Sequence, residues 1–319
     1  MKNIIKLLVC TAHFFWSISA FAFIYEVKIL KKWDAAHKRY HYFIGFSDFH
    51  DKVHVANKHQ LAKIETILNT CDKNSTKVAI EDLSSINNNG RSACGRYSVN
   101  SRGGVLGGLA QTSRTMGLDV ANVEFRYCRV ISLGPVLNNL QGNLNSFPSA
   151  TTTTMSALLD EVSKEIVQIQ AYDDGPILKK LYDASIKNIQ DQIKKLRLDL
   201  DGTLSVAQYL EKNSTQKNRL ELLKNLLTFD SGLLDLSLAH IVTSAFGTQD
   251  KVIVIAGGAH IGRVSDLLQK VGYKDASTTK VTFARENDLR KCLGSNIIDG
   301  AFCVKPQPIA LDFLDAILF

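Results

Sequence analysis

The 319-residue chain contains no Cys-x-x-Cys pair, so neither a dithiol redox motif nor a thiolate zinc site is indicated. The N-terminal apolar run, Ile4 to Ile18, is short and is interrupted by Thr11, His13 and Ser17, which excludes a comfortable membrane span. The basic clusters Lys28/Lys31/Lys32 and Lys187/Lys194/Lys195/Arg197 lack the aromatic interleaving on which bases stack. They read as solvated faces, and no nucleic-acid partner is expected. Gly103-Gly104 and Gly107-Gly108 follow no strand and precede no Gly-Lys-Ser/Thr, so they do not form a phosphate loop.

What the chain does carry begins with a leader. Lys2 and Lys6 precede the apolar run, and Ala20-Phe21-Ala22 supplies the small-x-small pattern of a signal-peptidase site. Residues 1–22 are therefore expected to be a signal peptide, and the protein to be exported, either periplasmic or secreted. Cleavage after Ala22 leaves 297 residues with 36 basic and 31 acidic side chains, a mildly basic balance. Five cysteines remain, namely Cys71, Cys94, Cys128, Cys292 and Cys303. Cys292 and Cys303 bracket a Gly-containing loop that an oxidising compartment could close as a disulfide. The odd count leaves at least one thiol free or paired between chains.

Two α/β stretches flank a helical middle. Tyr25–Leu30 alternates as a strand does, Tyr40–Phe46 is a second strand-like run, residues 55–68 carry helical spacing, and Val78–Asp82 is a short buried strand. A polar loop spans Ser84 to Gly104, and Asn122–Arg126 is a further strand. Residues 155–246 show Leu and Ile at three- and four-residue spacing, broken at Asp173-Asp-Gly-Pro176 and Asp201-Gly202. Strand character returns at Lys251–Ala256, a helix follows from His260 to Val271, and a strand near Val281–Phe283 completes the pattern. The expected fold is α/β, a largely parallel sheet flanked by helices with an all-helical insertion. Its parts are 23–150 and 247–319 as the two halves of the core, and 151–246 as the insertion. A helical cap of this size leaves self-association open.

One local pattern occurs twice: a strand, a tight turn, a histidine and a helix. It places His50 and His260 at the carboxyl edge of a parallel sheet, where ligands bind in such folds. Each lies near a helix N-terminus, whose dipole favours the neutral imidazole. With Glu81 and Arg126, four strand ends deliver one ionisable group each. His50, Glu81 and His260 could hold a divalent metal, zinc or manganese, with a position open for water. Arg126 could bind a substrate carboxylate or phosphate, or stabilise an oxyanion. Without metal, Glu81 or a histidine could serve as general base. Each residue alone has a plainer reading, as a cap or as a Glu81–Arg126 ion pair. Asp199-Leu-Asp-Gly-Thr-Leu204 spells a phosphatase nucleophile motif, but an amphipathic helix pattern precedes it. Asp201 or Thr203 is expected to cap the next short helix.

The segment Phe43–Asp51 with His54 and His59-Gln60, the strand Val78-Ala-Ile-Glu81, Gly117 with Val123-Glu-Phe-Arg126, and Val252–Gly262 with its Gly-x-x-His occur in one order. This ordered set resembles the TraB/Tiki, ChaN-like and erythromycin-esterase-like superfamily. The resemblance implies an α/β fold with a sheet-edge site and metal-dependent protease, esterase or haem-binding activity. It makes Asp48, standing where many relatives carry Glu, a candidate catalytic residue beside Glu81 and Arg126. The first motif departs from the family pattern at Ser47, where Gly is usual. Three functions follow as expectations. The first is a metal-dependent hydrolase of a peptide, ester or amide bond, taking a small-molecule or peptide substrate. The second is a haem-binding protein that uses the cluster His50, His54 and His59, and the third is an inactive interaction protein.

Overall fold

The computed structural model describes residues 21–51, 56–81, 105–123, 148–198, 203–212 and 216–280. In chain order the elements are β1 (Phe21–Asp34), β2 (Arg39–Asp51), α1 (Ala56–Thr70), β3 (Thr76–Ile80), α2 (Val105–Thr115) and β4 (Asp119–Asn122). Then come α3 (Pro148–Thr152), α4 (Met155–Gln170), α5 (Pro176–Leu198), α6 (Val206–Lys212) and α7 (Gln216–Ala245), and finally β5 (Lys251–Gly257), α8 (Gly258–Lys270) and β6 (Lys274–Lys280). The expected α/β class is what the chain adopts. Among the described residues six strands form one sheet in the order β4-β3-β5-β2-β1-β6. The four strands β4, β3, β5 and β2 run parallel, whereas β1 and β6 add antiparallel pairings at one side.

β5 explains the arrangement best. Its sequence KVIVIAG has no polar alternation, and its five inner residues are all buried. A continuous apolar run of this kind suits a central parallel strand covered on both faces. On one face α1 and α2 bury Ile24, Val27, Ile44, Phe46, Val78, Ile80, Ile253 and Ile255. On the other face Leu30, Phe43, Ala79, Val252, Val254 and Ala256 join one apolar cluster with α3 to α8. The helices placed between the two core halves in the chain thus supply the sheet's second layer.

Close packing fixes α8 against β2. A Cβ built on Gly45 would stand 2.7 Å from Ile261 Cγ2 and 2.9 Å from the Phe43 ring, so only a glycine lets the helix come this near. At the N-termini of α4 and α6 the chain ties itself together. Thr154 accepts the Ala157 N–H, and the Val206 and Met155 N–H groups donate to Thr153 and Leu204 carbonyls. The cap of α6 is Ser205, not Asp201 or Thr203. Its Oγ accepts the Gln208 N–H at 3.2 Å while Gln208 Oε1 accepts the Ser205 N–H at 2.9 Å, a reciprocal capping box.

The β1–β2 hairpin turns at Ala35–Lys38, with Lys38 at φ 52°. Asp34 organises the turn. Its Oδ1 accepts the N–H groups of Ala36 and His37, and its Oδ2 receives His37 Nδ1 at 2.7 Å and His41 Nε2 at 2.9 Å. Hydrogen bonds from His37 first, and then His41, hold the Asp34 carboxyl well below the usual carboxylate range. Cys71 is buried and unbridged, and burial pushes its thiol up. The Cys292–Cys303 loop, the strand expected near 281–283 and the Ser84–Gly104 loop lie outside the described residues. Among the described residues no helix is long and apolar enough to cross a membrane. β1 begins at Phe21, inside the expected leader, and its first two pairs are Phe21↔Asp51 and Ala22↔His50.

Candidate functional site

At the carboxyl edge of the sheet β5 passes directly into α8, with Gly257 as its N-cap and His260 in the first helical turn. One strand away, Glu81 follows the end of β3 and extends the ladder, its N–H donating to the Ile255 carbonyl at 2.9 Å. The Glu81 carboxylate then turns back to β5, where Oε2 accepts the Gly257 N–H at 2.7 Å. Its other oxygen, Oε1, stands 4.0 Å from His260 Nε2. Both side chains are buried. The carboxylate and the imidazole that the sequence places on separate strand ends therefore face each other across one gap.

The opposite edge of the His260 ring faces a carboxylate that the sequence pattern does not single out. Asp235, near the middle of α7, accepts from His260 Nδ1 at 2.6 Å. Arg263, one turn along α8, donates to the same carboxylate from Nε and lies with Nη2 at 3.4 Å from Oδ1. Asp235 is 4% exposed, a degree of burial that charged residues tolerate only when paired. A carboxylate can only accept, so Nδ1 must carry a proton. The approach of Arg263 Nη2 to Nδ1 at 3.2 Å is then donor against donor and contributes no bond. A signal for Asp235 existed in the sequence: it is the acid in the run Leu233-Leu-Asp-Leu236, whose leucines are all buried.

Asp48 lies at the end of β2, buried, its backbone opposite Gly257. Strand alternation gives it the parity of Ile44 and Phe46, residues of the α1/α2 face. Glu81 has the parity of Ala79, a residue of the face covered by α7 and α8. Ser47 is in ordinary extended backbone, paired to Glu26 in the ladder and donating to Glu26 Oε2 at 3.3 Å. The tight turn expected before His50 is replaced by strand: β2 runs through His50 to Asp51. The His50 side chain, Arg126, His54 and the His59 side chain lie outside the described residues.

Among the described residues no three His, Cys, Asp or Glu side chains come close enough to hold an ion. Two of the expected ligands do face each other, through a carboxylate oxygen and an imidazole nitrogen. Their 4.0 Å separation exceeds the edge of a tetrahedral zinc site, about 3.3 Å from Zn–N and Zn–O bonds of ~2.0–2.2 Å. A closure of about 0.7 Å would make them ligands of one ion, so the chemistry of the pair fits. The carboxylate behind His260 is the partner that metal-bound histidines ordinarily have.

No protein-family model matches the chain, and no curated protein and no solved structure matches it.

Proposed function

We propose that the protein is an exported hydrolase that cleaves a peptide, ester or amide bond with water activated between Glu81 and His260. The observation that supports this reading is the 4.0 Å gap between Glu81 Oε1 and His260 Nε2, with Asp235 holding the far side of the imidazole. A water hydrogen-bonded to both groups fits such a separation. In that position His260 Nε2 takes the proton and Glu81 Oε1 orients the oxygen for attack. Burial of both residues excludes bulk water and strengthens their fields. With His50 as the third ligand, a divalent ion, zinc or manganese, held by His260 and Glu81 would lower the pKa of its bound water toward neutrality. Arg126 is the candidate for stabilising the oxyanion.

The test is the metal content of the purified mature chain by mass spectrometry, beside a His260→Ala variant and a panel of ester and peptide substrates. Near-stoichiometric metal that His260→Ala loses, with hydrolysis lost alongside, is the expected result. Hydrolysis retained in His260→Ala would sink the reading. A chain that takes up no metal, hydrolyses nothing and develops a strong visible band on adding haem would replace it with the haem-binding function.

A further inference from the structure

We infer that Asp235, carried by α7, is the positioning residue of the site: it fixes the His260 proton on Nδ1 and so presents an unprotonated Nε2 to Glu81. The functional meaning of this rests on the hydrolase reading, but the geometry stands without it. A neutral imidazole has one N–H and one lone pair, and the hydrogen bond made by one nitrogen decides the state of the other. Asp235 Oδ1 is 2.6 Å from Nδ1 and, as a carboxylate, accepts only. A proton therefore sits on Nδ1, and in the neutral ring Nε2, 4.0 Å from Glu81 Oε1, keeps its lone pair. In the opposite tautomer Nε2–H would donate toward Glu81, and the ring could neither take a proton from water nor ligate a metal.

Arg263 makes the arrangement decisive. Its Nε donates to Asp235 Oδ2, which fixes the carboxylate in place. Its Nη2 is 3.2 Å from Nδ1, where it waits as a competing donor. With Asp235 in place Nδ1 is a donor and ignores it. Once Asp235 is removed, the guanidinium is the nearest polar partner of Nδ1, and that nitrogen becomes the acceptor. The proton then moves to Nε2. Asp235 and His260 come from α7 and α8, so the helical segment contributes a working part of the site.

The experiment is nitrogen NMR of the full chain labelled at histidine with 15N, without substrate or metal, the His260 signals being assigned by their loss in His260→Gln. In the wild type Nδ1 should give the protonated, pyrrole-like shift and Nε2 the unprotonated, pyridine-like one. In Asp235→Ala the two should exchange, and in Asp235→Glu the wild-type pattern should return. Zinc affinity should fall about 10–100-fold in Asp235→Ala and recover in Asp235→Glu. A wild-type ring with its proton on Nε2, or with averaged shifts, overturns the inference with no variant needed, as does an unchanged tautomer in a folded Asp235→Ala. The tautomer as described, in a chain that neither hydrolyses nor binds metal, would uphold the inference and remove the hydrolase.

Discussion

β2 and β5 lie side by side, in register from Tyr42↔Lys251 to Asp48↔Gly257, and each leads within a few residues to a histidine. Their backbones part at the last pair. β5 ends at Gly257 and becomes helix at once with Gly258 and Ala259, lifting His260 into the first turn. β2 continues as strand through Phe49, paired with Phe23 of β1, and in the full chain through His50 and Asp51, paired with Ala22 and Phe21. One written pattern, strand then turn then histidine, thus gives two backbones. The neighbour strand decides which, since the extended state is held by its partners more than by its own residues.

The largest effects should come from the two histidines. His260→Ala and Glu81→Gln are expected to lower hydrolysis by at least about 10²-fold, measured as kcat/KM on the best substrate of the panel. His50→Ala is expected to lower it comparably if the end of β2 completes the ligand set. A His50→Ala rate near wild type would confine the chemistry to the β5 end.

A glycine on each strand sharpens the same contrast in stability. Gly45→Ala on β2 forces a Cβ to 2.7 Å from Ile261 and should cost about 1–3 kcal/mol, read as a fall in denaturation midpoint. Gly257→Ala on β5 meets only Glu81 Oε2 at 3.4 Å and His260 Cδ2 at 3.5 Å, both side-chain atoms. It should cost less than ~1 kcal/mol, and its effect should fall on activity instead. Equal losses of stability at the two positions would contradict the close approach of α8 to β2.

The smallest effect belongs to the far end of the β1–β2 hairpin. Asp34 is shifted downward in the folded state by His37 and His41. Its contribution is therefore fully present above the unfolded carboxylate value, about 3.9, and fades as pH falls below that value toward the folded one. Asp34→Asn should lower the melting temperature slightly at pH 5.5, and the gap to wild type should narrow steadily toward pH 3. A gap that widens on acidification would show that the turn does not depend on the ionised carboxylate.

Much of the fold can be read from the residues. The unbroken apolar run of β5 and the Gly-Gly-Ala-His that follows it announce a buried parallel strand feeding a helix, and Val78-Ala-Ile-Glu81 announces its neighbour. What could not be read was tertiary. The extension of β2 depends on β1 being its partner, and the cap of α6 depends on Ser205 and Gln208 bonding reciprocally. Asp235 is the instructive case. Read by periodicity it is one polar letter among the leucines of a helix, and only the arrival of α8 shows that it faces an imidazole. Its warning was its setting, an acid among buried leucines, which costs free energy unless something pairs with it.

The hydrogen bond from the Gly257 N–H to Glu81 joins residues 176 positions apart, and this separation has a kinetic side. Helices between positions 148 and 245 close through local contacts on fast timescales, whereas pairings this distant in the chain form slowly. β5 is the last of the four parallel strands to be synthesised and the one that fills their centre. Until it inserts, β3 has no neighbour on that side, Glu81 has no N–H to grip, and His260 has no position. An incomplete chain is therefore a silent one. The Glu81–His260 pair comes into being only with the finished sheet, and whatever chemistry it performs cannot begin on a nascent or partly assembled molecule.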